Sequence, residues 1–234
     1  MPEVQIRIAD LDDPTWDRPD LCKVLSPDER NRAASFVFEI HRRRYEIGRA
    51  IVRLLLSECL GEAPGDLVIT TSANGKPGLS RQGHYFNVSH SGPILAVALC
   101  GYPVGVDVER VLPIEQLDAI ARRVFTEEER EHLSTIPDER RLRGFYGLWT
   151  LKEAVLKGVG VGLMLSPIAL QVRMGYPPRL ALPLPPGCMP MAWSLAGFDL
   201  PSMAWTSTEA CGAVAVAGDR VEHVRLSVEF FSPP

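Results

Sequence analysis

Val104-Gly105-Val106-Asp107-Val108-Glu109 is the stretch from which the rest of the chain can be read. Its β-branched valines alternate with small or acidic residues at period two, the pattern of a strand. Alternation puts Val104, Val106 and Val108 on one face and Gly105, Asp107 and Glu109 on the other. Two carboxylates thus point the same way from a strand whose other face is apolar. At an effective dielectric near 20, two such charges about 4 Å apart repel by about 4 kcal/mol. A divalent cation removes that cost, and Mg²⁺ favours a few carboxylates together with water and phosphate oxygens.

A second stretch, Trp149-Thr150-Leu151-Lys152-Glu153-Ala154-Val155-Leu156-Lys157-Gly158, has to meet the first in space. It reads as the end of a helix closed by Gly158, Gly160 and Gly162. Trp149, Glu153 and Leu156/Lys157 recur at three- and four-residue spacing and share a face. Glu153 is a candidate third oxygen ligand, with Lys157 one turn further on. Each piece has a plainer explanation alone: acid-x-acid strands are commonly solvated edges, and a Glu-to-Lys pair at i,i+4 is commonly a surface pair worth about 0.2–0.5 kcal/mol. Gly158-Val159-Gly160-Val161-Gly162 follows a helix and not a strand, which excludes a dinucleotide loop. Neither a Gly-x-Ser-x-Gly elbow nor a His-Glu-x-x-His helix occurs.

With 234 residues, 46% hydrophobic and 23% charged, the chain is an ordinary globular one, large enough for one domain or two halves of about 115 residues. A net charge of -4 argues against a general nucleic-acid binder while permitting a local basic pocket. Cys22, Cys59, Cys100, Cys188 and Cys211 are scattered and odd in number, as expected of reduced thiols in a cytoplasmic protein. No signal pattern opens the chain, and no apolar run approaches membrane-spanning length. Asn87-Val88-Ser89 matches a glycosylation sequon that has no meaning without secretion.

The order of elements is α+β. A strand holds Val4, Ile6 and Ile8, and Ser26-Pro27-Asp28-Glu29 is a capping box that starts a helix. A longer helix is predicted over 41–60, ending at Gly61, with Ile47, Ile51, Leu54 and Leu55 as its buried stripe. Its other side carries Arg42, Arg43, Arg44, Arg49 and Arg53 against the single acid Glu46. Such a face is commonly just solvated; a phosphate-rich ligand is the alternative, because guanidinium forks suit phosphate oxygens. Strands follow at 67–71, 85–90 and 94–99, with the turn Asn74-Gly75-Lys76-Pro77 between the first two. Helices are predicted over 113–124, after Thr126, and over 137–157, then strands at 169–174, 179–182, 191–195, 203–207, 213–217 and 223–230. Each half runs helix first, then strands, with an alanine-valine strand late. We therefore expect a pseudo-two-fold pair of similar α+β halves, 1–103 and 104–234, each a small antiparallel sheet packed on helices, with the site in the cleft between them.

Gly105-Val106-Asp107-Val108-Glu109, Trp149-x-x-Lys152-Glu153-Ala154-x-x-Lys157 and Phe86-Asn87-Val88-Ser89-His90-Ser91 together resemble the 4′-phosphopantetheinyl transferases of the long, surfactin-synthetase-activating type. The resemblance covers nearly the whole length, and it implies that family's fold. It implies transfer of phosphopantetheine from coenzyme A to a serine of an apo acyl or peptidyl carrier protein, releasing 3′,5′-ADP. Asp107, Glu109 and Glu153 match Mg²⁺ ligands. Glu153 would also be the general base, with Asp107 beside it, and Lys157 would stabilise or protonate the leaving phosphate. Lys152 would contact phosphate nearby. Arg44 matches the arginine at the 3′-phosphoadenosine end; Asn74, Gly75, Lys76 and Pro77 on the turn, and Ser89 and His90 at the strand tip, match coenzyme-contacting positions. One departure is the stretch Asp28-Glu29-Arg30-Asn31-Arg32, which stands where relatives carry lysines toward the coenzyme.

Two other functions are compatible with the residues: a Mg²⁺-dependent hydrolase of coenzyme or nucleotide pyrophosphate, and a coenzyme- or carrier-binding module without turnover. The first is disfavoured by the lack of a dedicated water-activating group, the second by the intact carboxylates and Lys157. The expected partners are coenzyme A and an apo carrier, with no nucleic acid or membrane, acting on a monomer. The carrier is expected to dock along 111–133, with Phe125 and Leu133 as apolar contacts.

Overall fold

A computed structural model describes residues 3–160, 165–181, 192–201, 209–218 and 225–232. Two small sheets carry the architecture. The first joins β1 (Glu3–Asp10), β4 (Tyr85–Ser91), β5 (Ile94–Cys100) and β11 (Arg225–Phe230) in the order β11-β1-β5-β4. The second joins β6 (Val104–Arg110), β7 (Val172–Arg173), β8 (Arg179–Leu180), β9 (Trp193–Leu200) and β10 (Ala210–Ala217) in the order β6-β10-β9-β8-β7. A hairpin of β2 (Ile69–Thr71) and β3 (Pro77–Leu79) stands apart. The helices are α1 (Pro27–Ala34), α2 (Glu39–Leu60), α3 (Leu117–Val124), α4 (Glu127–Ser134) and α5 (Asp138–Val159).

Period-two alternation decides what each face meets. Val4, Ile6, Ile8, Ala96 and Ala98 of the first sheet pack against Val104, Val106, Val108, Val214 and Val216 of the second. The opposite face of the first sheet, Leu95, Val97 and Leu99, meets Ile47, Ile51 and Leu55 of α2. The opposite face of the second, Ala213, Ala215 and Ala217, meets Leu151, Ala154 and Val155 of α5. Four layers result, helix on sheet on sheet on helix. Each fully buried aliphatic side chain contributes about 1.5–3 kcal/mol.

The helix boundaries follow local chemistry. Ser26 and Glu29 close a capping box on α1, and Thr126 and Glu129 close one on α4. Gly61 and Gly160 end α2 and α5 in the left-handed conformation, at φ 70° and 78°. The expected α+β class with small sheets packed on helices is what forms. One pairing departs from antiparallel: β1 and β11 run parallel, from Glu3↔Arg225 to Ile8↔Phe230. The last strand therefore leaves the second half and returns to the sheet of the first. The helix predicted over 113–124 starts only at Leu117. Gly162 and the strand predicted over 203–207 lie outside the described residues.

Candidate functional site

β4 and β6 lie side by side, and side chains join them. Asn87 Oδ1 accepts the Val106 N–H at 2.9 Å, Ser89 Oγ the Val108 N–H at 3.3 Å, and Ser91 Oγ the Arg110 N–H at 3.2 Å. The amides on this edge of β6 are thereby satisfied by every second residue of β4. The same serines serve the acids: Ser89 Oγ donates to Asp107 Oδ1 at 2.8 Å and Ser91 Oγ to Glu109 Oε2 at 2.6 Å. Trp149 also donates to the Glu109 carboxylate.

α5 supplies the remaining charges. Gly105 lets it come close: a Cβ there would stand 2.7 Å from Gly158 Cα and would overlap Ala154 O and Gly158 N. Lys157 Nζ then reaches Ser89 Oγ at 2.7 Å and Asp107 Oδ1 at 2.6 Å. Asp107 is 2% exposed, and its other oxygen, Oδ2, is buried without a hydrogen-bond partner. An unmet buried acceptor costs about 1–3 kcal/mol, so this oxygen is left facing a missing donor or ion.

The electrostatics point the same way. Burial raises the Asp107 carboxyl above its ordinary value, against the pull of Lys157 and Ser89. Burial raises Glu109 too; its bond from Ser91 opposes the rise and the Asp107 charge adds to it. Glu153 is raised by burial and then by the charges of Asp107 and Glu109, with Lys157 opposing. Acidic oxygens of this kind, one of them unmet, are ligands that suit a hard divalent cation. In this arrangement they are not drawn into a cage: among the described residues no three His, Cys, Asp or Glu side chains form a ready metal site. Asp107 Oδ2, Glu109 and Glu153 are nevertheless the groups that could hold one.

A cavity of about 670 Å³ opens beside these groups, lined by Glu153, Leu156, Lys157 and Gly160 from the end of α5 and by Asn74, Gly75, Lys76, Pro77, Asn87 and Val88 from the first half. Leu165, Ser166 and Pro167 also line it, which the sequence did not suggest. His90 keeps a face to solvent; the protein packed around it, and then the Lys157 and Arg44 cations, hold its imidazole below the ordinary value. Arg44 is thus near enough to His90 to act on it, while its guanidinium forks onto Asp12 at 2.8 and 2.5 Å. Lys76 faces the cavity with its stem, but its ammonium is spent on the backbone carbonyls of Gly158 (2.7 Å) and Val104 (3.2 Å).

Other expected residues are elsewhere. Lys152 is fully buried in an ion pair with Glu129 and lies over the Phe125 ring. It is on the far side of α5 from Lys157, because five residues carry a helix well past one full turn. It makes no phosphate contact from there. Phe125 and Leu133, expected as carrier contacts, are 0% and 2% exposed and belong to the core under α5. The arginine face of α2 is taken up by acids: Arg49 and Arg53 pair with Glu29, Arg43 with Asp17, and the exposed Arg42 with Glu39. Glu29 faces inward, which is why an acid stands at that position. No helix among the described residues is long and apolar enough to cross a membrane.

Comparison with known proteins places these features in company. The family model described as "4′-phosphopantetheinyl transferase superfamily" matches residues 103–179, and that described as "4′-phosphopantetheinyl transferase, N-terminal" matches residues 15–101. The 4′-phosphopantetheinyl transferase HetI of Nostoc sp. is 39% identical over 167 residues, covering 69% of this chain and 70% of its own. The transferase psf-1 of Bacillus pumilus is 34% identical, covering 69% of each chain. The transferase Sfp of Bacillus subtilis is 30% identical, covering 69% of this chain and 71% of its own.

Proposed function

This chain belongs to the 4′-phosphopantetheinyl transferase superfamily, and from that membership we propose a mechanism in which Asp107, Glu109 and Glu153 hold Mg²⁺ beside the coenzyme A diphosphate. The reaction moves the 4′-phosphopantetheine arm of coenzyme A onto a serine hydroxyl of an apo carrier protein. A new serine O–P bond forms, the P–O bond to the adenosine half breaks, and 3′,5′-ADP leaves with the electron pair.

Glu153 takes the serine proton; burial and then its acidic neighbours raise its carboxyl above the ordinary value. Lys157 stands against Asp107 at 2.6 Å and turns its ammonium to the leaving phosphate, a charge-assisted contact. A divalent cation held by Asp107, Glu109 and Glu153 would supply positive charge to offset that of the diphosphate. Asn74, Gly75 and Pro77 form the wall that the coenzyme lies against, with Ser89, His90 and Arg44 farther along. The first half, 1–103, thus supplies most coenzyme contacts, and the second, 104–234, the carboxylates and the base.

The observation that carries this reading is Asp107 Oδ2, buried without a partner among acids that repel one another. Incubating the protein with an apo carrier, coenzyme A and Mg²⁺, and weighing the carrier, tests it. The carrier should gain one phosphopantetheine arm, and Glu153→Ala should stop the gain while leaving the fold intact. Full transfer without a divalent cation would remove the metal from the mechanism. Cys22, Cys59, Cys100 and Cys211 are all free, which supports a reducing, cytoplasmic setting, and we take the acting species to be a monomer.

A further inference from the structure

We infer that Lys76 is a positioning residue, a latch that fixes the cavity wall at 74–77 onto the end of α5, and not a ligand of the coenzyme. The inference rests on the coenzyme A reading above. It starts from an unmet need: the last carbonyls of a helix have no intrahelical partner and carry its negative dipole end. At the end of α5 one such carbonyl, and that of the capping residue Gly160, receive donors from the 72–77 turn. Lys76 Nζ donates to Gly158 O at 2.7 Å, and Asn74 Nδ2 to Gly160 O at 3.0 Å. The same ammonium donates to Val104 O at 3.2 Å, three residues before Asp107. One cation therefore touches the residue after Lys157 and the start of the strand that holds the acids.

The turn is shaped for this. Gly75 takes φ 84°, and Ser72 Oγ accepts the Lys76 N–H at 3.1 Å, so the lysine leaves the hairpin in a fixed direction. Its stem crosses Gly160 so closely that a Cβ there would lie 3.1 Å from Lys76 Cδ. Burial pulls the Lys76 ammonium down to about 8, which marks a cation withdrawn from water rather than one waiting in an open cavity. Asn74, Gly75 and Pro77 line the same cavity as Glu153 and Lys157. Tying the turn to the end of α5 therefore fixes these lining groups relative to one another before any ligand arrives, and a preformed wall lowers the cost of binding.

Lys76→Met and Lys76→Arg, measured for transfer and for backbone hydrogen exchange without ligand, test this. A latch predicts that Lys76→Met raises the KM for coenzyme A by about tenfold, the scale of one charge-assisted hydrogen bond. It predicts little change in kcat at saturating coenzyme, and faster exchange at residues 72–77 in the ligand-free protein. Lys76→Arg, which keeps a donor to both carbonyls, should recover much of each. Should Lys76→Met not fold, Asn74→Ala removes the second arm alone and should give the same pattern at smaller size. A raised KM with unchanged ligand-free exchange would make Lys76 a direct coenzyme contact and overturn the inference. So would an unchanged KM. Absence of transfer by the unaltered protein would instead defeat the coenzyme reading, leaving the exchange measurement to stand by itself.

Discussion

Gly105 of β6 and Gly158 of α5 meet backbone to backbone, with room at Gly105 for a hydrogen and nothing larger. Everything at the site depends on that approach, because it lets Lys157 reach Asp107. Gly105→Ala would push a methyl into main-chain atoms that cannot swing aside. The expected cost is about 3 kcal/mol or more, above the usual range for overpacking. Gly147→Ala, in the same helix with nothing within 4 Å, should instead stabilise by about 0.5–1 kcal/mol. Thermal unfolding of the two variants checks both signs.

Glu153→Gln should lower transfer by at least about a hundredfold, the contribution of a positioned general base, while making the metal-free protein more stable at neutral pH. The sign follows from the raised carboxyl. A folded state that holds the proton more tightly than the unfolded one has its advantage at low pH and loses it as pH rises through the folded value. At neutral pH the ionised Glu153 is therefore a net cost, and the amide removes it. Unfolding midpoints in chelator, then with Mg²⁺ added, read this out; the variant's lead should shrink as the metal binds the unaltered protein.

His90 is displaced the other way, below its ordinary value of 6.5. Between the folded value and 6.5 the unfolded chain holds more protons, so stability rises with pH across that window. It is complete above 6.5 and is lost as pH falls. His90→Asn should flatten this acid limb in denaturant titrations from neutral to acidic pH.

Lys152→Met should destabilise strongly, by about 3–5 kcal/mol, because it strands the buried Glu129 carboxylate. The KM for coenzyme A of the folded fraction should not move. Adding Glu129→Gln should restore much of the loss, since the pair, not the charge, is what the core tolerates. A coenzyme KM that rises in the single variant would return Lys152 to the site.

These outcomes also mark where sequence stops informing. The acidic strand, the capping boxes at Ser26 and Thr126 and the Trp149–Lys157 helix were legible because each is set by residues within a few positions of one another. The fate of Lys152 was not: on a helix, position 152 and position 157 differ only by an angle, and which face meets the cavity depends on Glu129, twenty-three residues earlier. The partners of the α2 arginines were hidden for the same reason, since Glu29, Asp12 and Asp17 come from separate segments. Phe125 and Leu133 read as contacts because the helices that carry them follow the acidic strand, yet both are buried in the core.

The bonds from Asn87, Ser89 and Ser91 to the edge of β6 have one more consequence. Main-chain ladders survive almost any substitution, but this boundary is written in removable groups. Ser89 in particular answers to three neighbours at once: Val108, Asp107 and Lys157. A junction of that kind ties integrity to the site, so drift in these hydroxyls and acids would loosen the union of the two sheets as well as disturb the cavity beside them.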